Sequence, residues 1–214
     1  MPKMILHILN GRHQLADMEE WLSDRLNEAF SVSALHLPLQ DTDVIVKAGQ
    51  AVIPEKGHLG YAPEKGLIFV TVDPGNSVLR ANPSQSLERM LAHELHHAAR
   101  WDGPGYGKTL GEALVSEGLA GHFAQEAYGG ASEPWEQLSV SAVRRYVAKA
   151  QAEWSSPEYN HAEWFFGSKD VPTWVGYSLG YHVVGRYLAA HGDARASRLV
   201  HAEAVDFRTF LEAV

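Results

Sequence analysis

Leu87-Glu88-Arg89-Met90-Leu91-Ala92-His93-Glu94-Leu95-His96-His97-Ala98-Ala99-Arg100-Trp101 is the stretch on which the fold turns. Leu87, Met90, Leu91, Leu95, Ala98 and Trp101 recur at helical spacing and form one apolar arc. Asn82 is a good N-cap, Pro83 suits the first helical position and Gln85 the third. The helix is therefore expected to start there, run to about Trp101 and stop at Asp102-Gly103-Pro104-Gly105. His93 and His97 lie one turn apart, about 40° around the axis, and present two imidazoles from one face to a single ion. Glu94 falls inside the apolar arc as its only ionisable residue. A lone buried carboxylate is costly unless something compensates it. A divalent cation with a bound water would do so, and Glu94 is placed to take that water's proton. The competing reading is a helix with surface histidines and a glutamate held by a buried hydrogen bond. His96 points about 100° away from His97 and reads as a surface histidine or one that supports the ligands from behind rather than as a ligand, with Arg89 and Arg100 on the same partly solvated flank.

Two histidines do not complete a zinc site. The chain has twelve histidines and no cysteine, so every further ligand must be nitrogen or oxygen. The next helix, expected over 109–128, offers two carboxylates. Glu117 lies on a face of Leu110, Ala113, Leu114, Ala120, Gly121, Ala124 and Tyr128, as the one charge within it. Its small neighbours would let this helix approach the histidine-bearing one closely. Glu112 lies on the other side with His122 and Glu126. Glu117 is thus the expected third ligand.

His93-Glu94-x-x-His97 followed by Glu117 resembles the gluzincin arrangement of zinc metallopeptidases. Ser116-Glu117-Gly118-Leu119-Ala120 and the later Trp174-Val175-Gly176-Tyr177-Ser178-Leu179-Gly180-Tyr181 resemble, more narrowly, a bacterial domain family described as predicted zinc-dependent proteases of otherwise unknown function. The resemblance spans about residues 65–190. It implies that His93, His97 and Glu117 bind Zn2+ and that Glu94 is the general base of peptide-bond hydrolysis on a zincin-like scaffold.

At 214 residues the chain is expected to form a single metallopeptidase-like domain of α+β class. Its N-terminal part, about 1–75, would hold a small mixed or antiparallel sheet, and a mainly helical part, about 82–214, the metal site. A strand is read over 3–9 and a helix over 14–30. Short β runs follow at 44–46, 51–53 and 67–72, punctuated by Pro and Gly in a manner that suits antiparallel hairpins. Further helices are read at about 134–154 and 173–191, and a short last one over 205–213. The 67–72 run could be a sheet edge for an extended substrate, and a buried strand explains its residues equally well.

The net charge of −8 argues against nucleic acid as a partner. No apolar run is long enough for a membrane span, and no leader is legible, so a cytoplasmic protein is expected. The partner expected is a peptide or protein substrate, and oligomeric state is not legible. Tyr177 and Tyr181, one turn apart, are the candidates to stabilise the oxyanion, although an aromatic stripe at that spacing is more often core. His161 and His182 stand behind them and read more simply as surface histidines. Gly176, Gly180 and Gly185 suggest close helix packing. A non-enzymatic metal-binding regulatory or interaction module is the alternative function.

Overall fold

The computed structural model describes residues 2–214. The fold is α+β, with a four-stranded mixed sheet near the N-terminus and a mainly helical remainder. In order, the elements are β1 (Met4–Leu9), α1 (Glu19–Ala34), β2 (Thr42–Ala48), β3 (His58–Glu64), β4 (Leu67–Val72), α2 (Ser77–Ala81), α3 (Ser86–Arg100), α4 (Leu110–Tyr128), α5 (Val140–Arg144), α6 (Val147–Glu153), α7 (His161–Phe166) and α8 (Val175–Ala190). The chain packs as two compact units: Met1–Asp102 with Ala127–Gly130, and Gly103–Glu126 with Ala131–Val214.

In the first unit the strand order is β1-β2-β4-β3. β1, β2 and β4 run parallel, and only β3 pairs antiparallel, with β4. The expected run of hairpins is therefore corrected to one. The α1 crossover returns the chain to the same end of the sheet, which makes β2 parallel to β1. Residues 51–53 are not a strand; only Ile53 bridges to His58, and Pro54 has no N–H to continue a ladder. The β3–β4 turn closes through Gly66 at φ 67°, a left-handed conformation that favours glycine.

α1 starts five residues later than its apolar spacing suggests. Leu15 and Met18 are buried, but in turns ahead of the helix, where the Asn10 side chain accepts from the Leu15 amide at 2.9 Å. α3 also starts late. Asn82, Ser84 and Gln85 all take positive φ, Pro83–Gln85 forms a 3-10 turn, and the helix begins at Ser86. Asn82 still caps it, accepting from the Leu87 amide at 2.9 Å. α3 packs on α1, β3 and β4.

In the second unit, the single helix expected over 134–154 is three pieces. A 3-10 turn at Pro134–Glu136 closes when the Glu136 carboxylate accepts from the Glu133 amide at 2.7 Å, and Ser139 then caps α5 before α6 follows. α7 was not legible in the apolar spacing; the Asn160 side chain caps it on the Glu163 amide at 3.1 Å. The 205–213 tail is a 3-10 helix, Ala204–Leu211. The glycines of α4 receive α8: a Cβ on Gly118 would meet the Gly180 carbonyl oxygen at 2.3 Å, and one on Gly180 the Leu114 carbonyl oxygen at 2.2 Å. Close packing is thus what Gly180 provides, and the small face of α4 serves α8. Among the described residues no helix is long and apolar enough to cross a membrane.

Candidate metal centre

The first unit supplies the histidine pair. β3, an edge strand, lies along α3. His58 Nε2 and the Ser86 hydroxyl are 2.9 Å apart at one end, and Trp101 Nε1 donates to the Ala62 carbonyl at 3.0 Å at the other. Between them Gly60 faces the helix. A Cβ there would stand 2.4 Å from Met90 Sδ and 2.5 Å from Glu94 Cγ, so the strand can back Glu94 only because residue 60 has no side chain. Glu94 is 8% exposed and His97 5%, and His93 is half-buried. The two Nε2 atoms are 3.1 Å apart. That separation suits two ligands of one small cation, since Zn–N bonds are about 2.0–2.1 Å long. Imidazole and carboxylate donors, with no thiolate in the chain, fit zinc among the first-row ions.

Two expectations, one about this helix and one about the sheet, are corrected. Arg89, His96 and Arg100 are buried, His96 and Arg100 with no exposed surface, so they do not form a solvated flank. A helical wheel assigns faces by hydropathy and misses polar side chains that are enclosed with partners. Arg89, for one, reaches back to donate to the Gly129 carbonyl. The 67–72 run is β4, an interior strand between β2 and β3, and the sheet edge beside α3 is β3.

The second unit supplies Glu117, 8% exposed on α4. Its neighbours are a group that the amphipathic pattern did not reveal. The Tyr106 hydroxyl hydrogen-bonds the Glu117 side chain. Burial first, and then the Glu117 charge, push the Tyr106 phenol well above its usual range. Tyr159 is raised to about 12, by burial and then by Glu117 and Glu112. His161 Nδ1 lies 3.1 Å from the Tyr159 hydroxyl, and its ring stands edge-on to Tyr106 at 5.9 Å. Burial lowers its pKa, and the Glu117 charge opposes that shift. Tyr106 sits in Gly105-Tyr106-Gly107, between the two motif-bearing helices. An aromatic flanked by glycines in a short connecting loop was the signal available.

Glu112 has a different occupation. Its Oε2 accepts from the Lys108 and Thr109 amides, both at 2.8 Å, and from the Thr109 hydroxyl at 3.0 Å, closing the start of α4. Of the two tyrosines singled out, Tyr177 packs edge-on to Phe165 at 4.9 Å and lies near enough to Tyr106 to raise its pKa. Tyr181 faces elsewhere. It stacks on His122 at 3.9 Å, its hydroxyl donates to Gln125 Oε1 at 2.5 Å, and its carbonyl lies 2.9 Å from His122 Nε2. His182 Nε2 is tied to the Leu138 carbonyl at 2.8 Å.

Comparison with known proteins adds two findings. The chain is 28% identical over 155 residues to the uncharacterized protein YjfC of Bacillus subtilis (strain 168), a match covering 64% of this chain and 50% of that protein. The chain thus spans about half the length of the curated relative it matches. A protein family described as "Predicted Zn-dependent protease" matches residues 22–209, beginning well before the stretch that carries the motifs. With most of its length matched, both α3 and α4 included, the chain belongs to that family of predicted Zn-dependent proteases.

Proposed function

We propose that this protein hydrolyses peptide bonds with a zinc ion held by His93, His97 and Glu117. The observation that carries the reading is the pair of imidazoles one turn apart on α3, their Nε2 atoms 3.1 Å from each other, beside the buried Glu94. When bound, zinc polarises a water and a carbonyl oxygen at neutral pH. The protein's own groups then divide the work. Glu94, beside the histidines and backed by Gly60, accepts the proton of the attacking water and returns it to the leaving amine. The Tyr106 hydroxyl donates to Glu117 and orients it, while His161, edge-on to Tyr106 and near Glu117, donates to the substrate oxygen as it gains charge. Tyr177, whose charge acts on the Tyr106 phenol, and Tyr181, whose hydroxyl donates to Gln125 Oε1, are the further candidates for that role.

Metal analysis together with a peptide-library digest tests this. Purified protein should carry about one zinc per chain and cleave the library, and chelator should abolish cleavage and lower the melting temperature. Glu94→Gln should keep the zinc and lose roughly 100- to 10,000-fold in rate, the usual size of a general-base contribution. Undiminished turnover in that variant would sink the mechanism. Zinc with no cleavage by the unaltered protein would favour the metal-binding module instead.

A further inference from the structure

The sheet of the first unit has two unlike faces. α1 and α3 pack on each other and on the strands, and the side chains beneath them, Val44, Val46, Ile68 and Val70, have no exposed surface. The alternate residues point the other way. Register places His7, Ile45, Phe69 and Tyr61 in one row across all four strands, with Ile5 and Asp43 on one side of it and Leu9, Lys47 and Leu59 on the other. This face is open at its outer strands, where Tyr61 is 63% exposed, Leu9 57%, Ile5 42% and Leu59 40%, and half-buried at Ile45 and Phe69 between them. Sheets with parallel strands at their centre normally have both faces covered, and their outward positions are apolar for that reason. Four strands by six residues make a patch on the order of 300–400 Å2, large for a face left to water.

We propose that this face docks on the same face of a second copy of the chain. Charge favours that occupant. Asp43 and Lys47 stand two positions before and two positions after Ile45 on β2. The row of Asp43 ends in Glu64, whereas the row of Lys47 contains no acid. A two-fold axis lying across the strands at Ile45 sets Asp43 over Lys47 of the second copy and Ile5 over Leu9. It also stacks the Ile45–Phe69 centre on itself. Such self-complementarity is what a closed, isologous dimer requires. The small area makes it a concentration-dependent dimer rather than an obligate one. His7 and Asp43, 2.6 Å apart within each copy, leave a second carboxylate oxygen on Asp43 for Lys47.

Sedimentation equilibrium of the full chain, from low to high micromolar concentration, tests the proposal independently of any zinc chemistry. The unaltered protein should pass from monomer to dimer. Asp43→Lys and Lys47→Asp should each raise the midpoint concentration about tenfold, and the double exchange should bring it back. Tyr61→Lys, at an exposed position, should leave circular dichroism and zinc content unchanged while weakening the dimer. Sedimentation as a monomer throughout overturns the proposal. So does a dimer indifferent to Tyr61→Lys and to both single exchanges, or a double exchange that fails to restore association.

Discussion

The first turns of α3 and α4 carry one kind of carboxylate, buried at Glu88 and half-buried at Glu112, and the middles of the same helices carry another. Glu88 and Glu112 each stand third in their helix. Glu88 has no exposed surface, yet it is answered by Asn82 Nδ2 at 2.7 Å and Arg25 at 3.4 Å. Glu112 is answered by its own loop, through two amides and a hydroxyl. Both close the start of a helix, where free amides and the positive end of the helix dipole welcome an anion. Glu94 and Glu117 sit where the helix has no amides to offer. Around them are imidazoles in one case and the Tyr106 phenol in the other. Burial alone therefore does not mark a working carboxylate, and position along the helix separates the two kinds.

Substitutions should reproduce that separation. Glu117→Ala should abolish tight zinc binding, read by metal analysis, and remove the effect of chelator on the melting temperature, while the metal-free protein stays folded. If zinc stays bound at one per chain, Glu117 belongs with the structural carboxylates. Glu88→Ala should act in the opposite way. It should cost about 3 kcal/mol of stability in urea titration, because the Asn82 and Arg25 contacts lose their anion, while the zinc content of the folded fraction is retained. Glu112→Ala removes a cap and should cost about 1 kcal/mol, again with zinc retained.

The smallest expected effect is in pH. Burial holds the folded-state pKa of His122 below the usual histidine value, with the Tyr181 carbonyl opposing the shift. The unfolded chain then takes up a proton at about pH 6.5 that the folded chain resists. Stability contributed at this site is thus complete above that pH and is lost as pH falls below it. Metal-free protein should show a lower melting temperature at pH 5 than at pH 7. His122→Phe, which keeps a ring against Tyr181, should flatten the slope.

The helices were legible in different degrees. α3, α4 and α8 lie within a few residues of the bounds read from the sequence, α3 because it has a long apolar stripe and α4 because it is apolar and buried nearly all round. α1 shows where such spacing misleads. Leu15 and Met18 are as buried as its helical residues, but Asn10 and the turns after it place them, so the burial was legible and the helix start was not. The break at Ser139 and the short α7 depend on single caps, which outweigh weak propensity over so few residues. At the centre, His93, Glu94 and His97 were legible because four-residue spacing on a helix is local geometry. Tyr106 was not, since a loop residue meets Glu117 only once α4 and the loop before it have folded.

What the sequence determined by itself is the chemistry that is available. With histidines a turn apart, glutamates inside apolar faces and no thiol, any metal held there would have to take nitrogen and oxygen ligands. The tertiary structure decided which carboxylates close helices and which stand at the centre. It also decided that three of the four strands run parallel, and that one face of the sheet meets helices while the other stays open. The physical reason is the same in each case. Side-chain spacing is periodic and can be read along the chain, whereas strand direction and hydrogen-bond partners depend on crossovers and loops that join residues far apart in sequence.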